Sequence, residues 1–465
     1  MADENPLLSP EEHVLSTLNQ DGSRRWVRPR IVHGKWWKRR AVVAWSLILL
    51  FNVLPWIKIA GKPLLRLDVV AREFTFFTVS FRPTETLLLT FLLLIVFLGI
   101  FLMTALFGRV WCGWGCPQTV YLEYIFRPLE KLLCGPNLAK GKPVPIERRV
   151  ISIVATALVC LHLSHTFLAY FVGPQEVLSW SLGSPSEHPA GFAIVIGVTA
   201  LMMFDFLYFR EQMCILACPY GRLQSVLLDR KSLIVGYDEK RGEPRGKLKK
   251  PTAGSLAAPQ GDCIDCGWCS AVCPTGIDIR KGLQMECIHC TECIDACDTV
   301  MDKIEKPRGL IRYSSQDGLE GGKQGFFRPR VVLYPLILTI VIGLFIWQLS
   351  SMQSAILLPR RVQGQPFTIA EDGRIRCLVT FRLENRSGES RTYQVSSDDS
   401  RFELIAPTFP MELADSESRD FTVIVLTPPE IFDRGTAEVP FRFQDGVDFD
   451  LARLRNVAGP YSVNR

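Results

Sequence analysis

The sequence contains, at residues 263–297, the stretch CIDCGWCSAVCPTGIDIRKGLQMECIHCTECIDAC. Two runs of four cysteines lie within it, and each run has the spacing C-x-x-C-x-x-C-x-x-x-C. Pro274 follows the first run, whereas Asp298 follows the second. The 465-residue chain has 15 cysteines, and this tight spacing indicates metal ligation, whereas a disulfide framework would scatter them.

Tandem runs of this kind are typical of bacterial ferredoxins with two 4Fe–4S clusters, in which the fourth cysteine of each run ligates the other cluster. The predicted ligand sets are Cys263, Cys266, Cys269 and Cys297 for one cluster, and Cys273, Cys287, Cys290 and Cys293 for the second. Asp298 stands where a second proline would follow the second run, which makes the match to the ferredoxin pattern weaker there. Zinc is the alternative metal, and two complete runs disfavour it. Such clusters carry single electrons but do not define a substrate.

Five apolar windows are long enough to cross a bilayer, which takes about 17–25 residues. They cover residues 41–57, 86–107, 150–172, 190–209 and 331–350. One such window could be a buried helix of a soluble domain, but five in one chain predict a membrane-embedded protein. The formal net charge of +6 is too modest to indicate nucleic-acid binding, and no nucleic-acid partner is expected.

The distribution of lysine and arginine favours an N-terminus inside and a C-terminus outside. The loops at residues 108–149 and 210–330 are basic, whereas the loop at residues 173–189 has no lysine or arginine. The first outer loop, at residues 58–82, carries five basic residues and opposes this orientation. The segment before the first window supports it with Arg28, Arg30, Lys35, Lys38, Arg39 and Arg40.

The end of the chain, from residue 358, alternates apolar and polar residues with the period of half-buried strands. About a hundred residues of this kind indicate an immunoglobulin-like sandwich, and Cys377 has no nearby partner for a disulfide. The predicted protein is multi-domain. Its parts are an N-terminal cytoplasmic segment (1–40), four transmembrane α-helices (41–230), an inserted dicluster ferredoxin domain (231–330), a fifth transmembrane helix (331–350), and a C-terminal all-β domain (351–465).

Two further cysteine pairs share the motif C-x-x-x-C-P, Cys112 with Cys116 after the second window, and Cys214 with Cys218 after the fourth. Cysteines four apart share one face of a helix, and both windows run from outside to inside on this topology. Both pairs are therefore expected at the inner membrane surface beside the ferredoxin domain. Four thiols there suit a soft metal such as Cu(I), a further iron–sulfur centre, or redox dithiol chemistry. Packing as small hydrophobic side chains is the alternative.

The third window places Cys160, His162 and His165 near mid-membrane, where ionisable groups are functional candidates. The two histidines share a rough helical face and are candidate copper ligands, with helix–helix hydrogen bonding as the competing interpretation. Asp205 in the fourth window is weighed in the same way. No role is predicted for Cys134.

The stretches GRVWCGWGCP at residues 108–117 and CILACPYGRLQ at residues 214–224 resemble the membrane ferredoxins related to NapH and NosR. The order of spans, tandem ferredoxin, last span and β domain resembles one branch more closely. That branch is the CcoG family of cytochrome c oxidase accessory proteins, also called FixG/RdxA. The resemblance covers nearly the whole chain.

This resemblance implies a bacterial inner-membrane protein that reduces Cu(II) to Cu(I) for assembly of the cbb3-type oxidase. The implied cofactors are two 4Fe–4S clusters, with copper as a further candidate. The implied partners are the oxidase and copper chaperones or transporters. The resemblance further implies a copper site at or near Cys112, Cys116, Cys214 and Cys218. The two clusters would supply electrons to that site.

Two other functions compete with copper reduction: a quinol-linked electron conduit of the NapH type, and a non-catalytic assembly scaffold. The outer β domain favours assembly, because a bare conduit has no need of it. A quinol site would need a polar, ionisable pocket at a membrane face, and the sequence offers only ambiguous candidates for one. The chain has no Gly-rich nucleotide fingerprint after a strand, so bound NAD or flavin is not expected. The electron donor is left open.

Overall fold

The chain forms two compact units, Met1–Phe345 and Ile346–Arg465. The computed structural model describes residues 13–19, 21, 23–59, 62–69, 73–76, 79–81, 86–135, 142–247, 260–322, 329–351, 354–360, 365–387, 389–415 and 417–460. The first twelve residues of the predicted N-terminal segment lie outside the described residues.

Five helices among the described residues are long and apolar enough to cross a membrane, as predicted. In chain order, these first to fifth spans are Lys35–Trp56, Leu87–Phe107, Ile146–Val172, Pro189–Phe209 and Pro329–Ser350. In the most apolar part of each span, between 6% and 28% of the residues are buried by the protein itself. Such low burial is expected of apolar helices whose surroundings are lipid.

The first span begins at Lys35, six residues earlier than the apolar window suggested. The N-terminus of this helix is capped by a residue distant in sequence. The Asp295 carboxylate accepts hydrogen bonds from the backbone N–H groups of Trp36 and Trp37 at 3.1 and 2.7 Å. A carboxylate at a helix N-terminus satisfies free donors and complements the helix dipole. A Cβ at Gly34 would overlap the Asp295 side chain, so this close approach needs glycine. The cap comes from the ferredoxin segment and fixes it against the first span.

The ferredoxin segment is closed by one antiparallel pair of strands, Ile234–Tyr237 with Ile311–Ser314. Between them lie the helix Trp268–Ala271, which carries Cys269, the helix Glu292–Lys303, which carries Cys293 and Cys297, and a 3-10 turn at Ile279–Lys281. Its core combines the cysteines with apolar side chains, among them Val235, Ile277, Ile279, Ile294, Met301 and Leu310. The clusters therefore belong to the core, as expected for a segment this small.

Short helical segments surround both C-x-x-x-C-P motifs, and three of them are π-helical, a geometry that is frequent at functional sites. The π segments are Leu122–Phe126, Phe204–Phe209 and Met213–Ala217. The α-helices near them are Val110–Trp114, Pro117–Tyr121, Arg127–Cys134 and Pro219–Leu227.

Several small elements were not predicted from the sequence. Between the first two spans lie the strands Lys58–Ile59, Lys62–Pro63, Leu65–Asp68, Glu73–Phe76 and Val79–Phe81. Elsewhere lie the strands His13–Leu15 and Leu18–Asn19 and the helices Pro174–Leu182, Glu239–Gly242 and Gln316–Leu319.

The described part of the C-terminal unit contains nine strands: β1 (Ala355–Arg360), β2 (Phe367–Ile369), β3 (Ile375–Asn385), β4 (Arg391–Ser396), β5 (Glu403–Ile405), β6 (Met411–Leu413), β7 (Ser418–Thr427), β8 (Thr436–Gln444) and β9 (Asp450–Ala458). One sheet has the order β1-β3-β7-β5, with β2 also paired to β3, and the other has the order β6-β4-β8-β9. Every pair is antiparallel.

Both sheets of the C-terminal unit contribute to one apolar core. Phe381 on β3 lies opposite Phe421 on β7 and contacts Phe441 and Phe443 of β8 edge-on. Alternate residues of β3 are buried, which is the period-two pattern of a sheet with one face in a core. The architecture is therefore the two-sheet sandwich that the alternating sequence predicted.

Candidate iron–sulfur and thiol site

The first predicted ligand set surrounds one cavity in the ferredoxin segment. Its wall contains Cys263, Cys266, Cys269 and Cys297 together with apolar side chains such as Met301. Cys297 comes from the second cysteine run, yet it lies with three cysteines of the first run. The structure thus brings together the four residues that the crossed ferredoxin pattern assigns to one cluster.

The second predicted ligand set surrounds a neighbouring cavity. Cys273 from the first run lies there with Cys287, Cys290 and Cys293 from the second. Cys269 lines both cavities, so the two sites are adjacent. Cysteine side chains in an apolar wall suit 4Fe–4S clusters, which Cys₄ sets hold. Adjacent sites allow single electrons to pass between them.

The two cysteine loops share an uncommon backbone. The residues on either side of Cys266, Asp265 and Gly267, have φ angles of 51° and 67°, and those beside Cys290, His289 and Thr291, have 54° and 69°. Left-handed conformations are rare for residues other than glycine and cost free energy. These conformations recur in both loops because the backbone of each loop must wrap closely around a cluster.

Burial makes the metal-free ferredoxin cysteines poor acids. It raises the pKa of Cys269, Cys287 and Cys297 to about 12 in each case. Cluster ligands are thiolates, so cluster binding must release the protons of the thiols. It must also supply the free energy that burial costs the thiolate form. The folding of this segment is therefore coupled to cluster insertion.

The C-x-x-x-C-P cysteines do not share one helix face, which corrects the prediction from their spacing. Cys112 lies inside the helix Val110–Trp114, whereas Cys116 is extended and precedes the next helix. Cys218 is extended in the same way after the π-helix that holds Cys214. The physical reason is the following proline, which disfavours helical backbone at the residue before it.

The four thiols of the two motifs nevertheless lie within electrostatic reach of one another. Burial, together with the charges of Cys116 and Cys112, raises the pKa of Cys214 to about 12. Burial also raises the pKa of Cys112, with Arg109 opposing the shift and Cys116 and Cys218 adding to it. We refer to Cys112, Cys116, Cys214 and Cys218 as the four-thiol site.

A buried glutamine organises one side of the four-thiol site. The Cys112 thiol donates a hydrogen bond to Oε1 of Gln224 at 2.9 Å. The amide nitrogen of Gln224 donates to the hydroxyls of Tyr220 and Thr104 at 2.7 and 2.9 Å. Gln224 is only 1% exposed, so these bonds fix its orientation and that of the thiol.

The four-thiol site packs directly against the second cysteine run. Cys112 packs in one buried cluster with Ile288 and Cys290. A Cβ at Gly113 would overlap the carbonyl oxygen of Ile288, so the backbones touch there. The backbone N–H of Arg109 donates to Nδ1 of His289 at 3.1 Å. The four-thiol site therefore lies beside the second cluster position.

A buried ion pair joins this region to the first span. Arg40 is 1% exposed, and its guanidinium donates to Glu292 at 2.8 Å and to the carbonyl oxygen of Gly113 at 2.7 Å. Glu292 immediately precedes Cys293, and Gly113 immediately follows Cys112. One side chain thus ties the first span to the second cysteine run and to the four-thiol site.

The mid-membrane candidates are engaged in local hydrogen bonds. Nε2 of His162 donates to the side-chain oxygen of Asn52, and Nδ1 of His165 donates to the carbonyl oxygen of Leu161, both at 2.8 Å. Cys160 is fully buried. Asp205 accepts a 3.1 Å hydrogen bond from Gln118, two residues after Cys116. Within the described ranges, no three His, Cys, Asp or Glu side chains converge on a single metal ion. The copper-ligand role of the two histidines stays a prediction.

Several residues of the site were missed from the sequence. Gln224 was quoted only as part of a motif, and Arg40 was counted only as an orientation charge. His289 and Glu292 lie between the cysteines of the second run, and titratable side chains so close to metal ligands were the available signal. The partners that bury them come from segments distant in sequence.

Comparisons with known proteins agree with this architecture. Residues 209–316 match a 4Fe-4S dicluster domain, residues 89–135 a 4Fe-4S binding domain, and residues 345–454 the immunoglobulin-like fold at the C-terminus of FixG. The chain is 34% identical to the protein RdxA of Cereibacter sphaeroides, covering 80% of this chain and 82% of that protein. It is 30% identical to the nitrogen fixation protein FixG of Rhizobium meliloti, covering 80% and 79%. The chain belongs to the FixG/RdxA family.

The motifs therefore identified the FixG/RdxA family correctly. This family member is an iron–sulfur electron-transfer protein, and five helices of its described part are long and apolar enough to cross a membrane. A crystal structure of a FixG-related protein from Vibrio parahaemolyticus is 11% identical to it, with a TM-score of 0.21, covering 23% of this chain and 98% of that one.

Serine substitutions test the crossed ligand sets of this FixG/RdxA protein. Cys263→Ser and Cys297→Ser should each remove about half of the bound iron and the same paramagnetic signal, although they lie in different runs. Cys290→Ser should remove the other signal. Iron analysis and electron paramagnetic resonance of the reduced protein measure this. If Cys290→Ser and Cys297→Ser both lost the same signal, that result would contradict the assignment.

Breaking the buried ion pair should destabilise the protein far more than removing a neighbouring charge. Arg40→Met leaves Glu292 buried and unpaired, which costs about 3–5 kcal/mol. Arg39→Met is the matched control, because Arg39 is exposed and its loss should cost about 0.5 kcal/mol or less. Thermal unfolding in detergent measures both. Equal melting temperatures for the two variants would show that the pair does not hold the first span.

Proposed function

We propose that this protein is a Cu(II) reductase that serves assembly of the cbb3-type cytochrome c oxidase. The observation that carries the proposal is the contact between the four-thiol site and the second cysteine run at Cys290. The 4Fe–4S clusters supply single electrons, and Cu(II) needs one electron to become Cu(I). Soft thiolates favour Cu(I) over Cu(II), so thiols beside a one-electron donor suit this reaction.

Copper is the substrate here and would be held by a pair of thiols, since no larger set converges on one ion among the described residues. Arg109 lies 3.9 Å from the Cys112 sulfur, where its charge favours the thiolate form that binds the metal. Gln224 holds the same thiol in place. Asp205 adds negative charge near Cys116, which favours a cation at this position.

A second candidate for the four thiols is a further iron–sulfur centre. The description of the family that matches residues 89–135 favours it, because Cys112 and Cys116 lie in that range. In that case electrons would pass from the second ferredoxin cluster to this centre. Cu(II) would then be reduced on the side of the centre that faces away from that cluster. Iron content distinguishes the two, since only this alternative requires iron beyond the two ferredoxin clusters.

The proposal takes the ferredoxin segment as cytoplasmic and the C-terminal sandwich as periplasmic, in a bacterial inner membrane. Its support is the excess of lysine and arginine in the loops on the ferredoxin side. The sandwich would then contact the oxidase or the copper chaperones and transporters. The Cu(I) product would pass to those partners.

Removing one thiol pair should abolish copper reduction. The variant Cys112→Ala/Cys116→Ala should reduce Cu(II) no faster than background, while both ferredoxin signals persist, because its cluster ligands are intact. Dithionite-reduced protein, freed of excess reductant, is mixed with Cu(II), and a Cu(I)-specific chelator reports the product. Cys134→Ala is the matched control, because this buried thiol is outside the four-thiol site. Reduction that survives in the double variant would contradict the placement.

Removing the C-terminal unit should leave Cu(II) reduction intact but impair assembly of the oxidase. A chain ending at residue 351 retains every cysteine of the proposed route and should reduce Cu(II) at the wild-type rate. Cells that carry it should have less mature oxidase, because the proposed contact surface is missing. Oxidase activity in membranes measures this. Loss of reduction with normal oxidase maturation would overturn the proposed division of labour.

A further inference from the structure

A cavity of about 440 Å³ lies where the first span meets the ferredoxin segment. This volume is within the range of small-molecule sites, about 300–1,000 Å³. Trp45 of the first span, Lys131 and Val272 of the ferredoxin segment line it. Arg30 also lines it, and the backbone N–H of Arg30 donates to the carbonyl oxygen of Ala271 at 2.9 Å. Segments that are distant in sequence therefore meet at this cavity.

The wall of the cavity has more positive than negative side chains. Its lysine and arginine residues are Arg28, Arg30, Arg127, Lys131 and Arg210, and its carboxylates are Glu123, Glu130 and Glu292. A concave surface lined by an excess of one charge attracts ligands of the opposite charge. Basic pockets beside transmembrane helices are known to hold anionic head groups. The composition of the wall therefore favours an anionic ligand.

The carboxylates of the wall are already neutralised by arginines. The ion pairs are Glu123 with Arg127, Glu130 with Arg210, and Glu292 with Arg40. In contrast, Arg30 and Lys131 have no ion-pair partner in the described part of the chain, and both side chains are exposed. Arginine can bind phosphate oxygens through two parallel hydrogen bonds, and lysine binds phosphate as a point charge. These two side chains are therefore available to an anion in the cavity.

Large apolar side chains next to the cavity are exposed at the edge of the first span. Trp45 is 54% exposed and lies about one helical turn inside the apolar window that begins at residue 41. Tryptophan is enriched at this depth, where a membrane meets water. Leu132, which follows Lys131, is 79% exposed. A ligand with an anionic head and apolar chains matches both the basic wall and these side chains.

We propose that this cavity binds the head group of one anionic phospholipid. Arg30 and Lys131 bind its phosphate, and its acyl chains lie beside Trp45 and Leu132. Inorganic phosphate shares the chemistry of the head group but lacks the chains. Because Val272 lines the cavity and precedes Cys273, the lipid holds the N-terminal segment against the chain that carries a ligand of the second cluster. The proposal involves no copper and does not rest on the proposed Cu(II) reduction.

Lipid binding to the full-length protein with its clusters tests the proposal. Native mass spectrometry of protein delipidated in detergent and titrated with phosphatidylglycerol gives the affinity of the first bound lipid. Arg30→Gln/Lys131→Gln should weaken that step about 25-fold, because each basic residue near an anionic lipid contributes about fivefold. Lys38→Gln/Arg39→Gln is the matched control and should bind like the wild type. It removes the same charge from exposed positions of the first span that do not line the cavity.

Two further arms identify what the site recognises. Phosphatidylcholine, which has no net charge, should bind the wild type more weakly than phosphatidylglycerol does. Arg30→Lys/Lys131→Arg keeps both charges and should bind phosphatidylglycerol like the wild type, which separates loss of charge from a folding defect. Equal binding of phosphatidylglycerol by the two glutamine variants, or equal binding of the two lipids by the wild type, would overturn the proposal.

Thermal unfolding in lipid-free detergent distinguishes the lipid from inorganic phosphate. Phosphatidylglycerol should raise the melting temperature of the wild type and of Lys38→Gln/Arg39→Gln, but not that of Arg30→Gln/Lys131→Gln. Inorganic phosphate at the same concentration should have little effect, because it lacks the acyl chains. If phosphate stabilised the wild type and phosphatidylglycerol did not, the cavity would be a site for the free anion and the lipid proposal would be wrong.

Discussion

The arrangement of the redox sites depends on one buried ion pair, Arg40 with Glu292. Two charges removed from water are costly unless their geometry is good and their remaining hydrogen bonds are satisfied. Arg40 also donates to the backbone at Gly113, so the first span, the loop after Cys112 and the loop before Cys293 must meet at one place. A small shift of any of the three would leave a charge buried alone. The pair therefore fixes where the ferredoxin segment sits on the spans to which it docks.

That docking explains why the ferredoxin segment is part of the membrane unit and not a tethered carrier. The Asp295 carboxylate caps the first span, and the loop around His289 lies on the segment that carries Cys112. Fixed distances favour electron transfer between sites, because no diffusion step separates donor from acceptor.

The sequence was sufficient for the spans, the tandem cysteine runs and the β sandwich, because each has a strong local pattern. Long apolar windows, C-x-x-C spacing and period-two alternation depend on neighbouring residues only. It failed for the helix geometry at Cys116 and Cys218, where proline overrode the four-residue period. The roles of Arg40 and Gln224 could not be found, because each is defined by contacts between distant segments.

The crossing of the cysteine runs also has a consequence for biogenesis. The first cavity is complete only when Cys297 is present, and Cys297 lies two residues beyond Asp295 on the same helix. Whatever positions Cys297 for a cluster also positions the carboxylate that caps the first span. Iron–sulfur insertion and closure of the membrane unit are thus thermodynamically linked, and a chain without its clusters would expose an uncapped helix end.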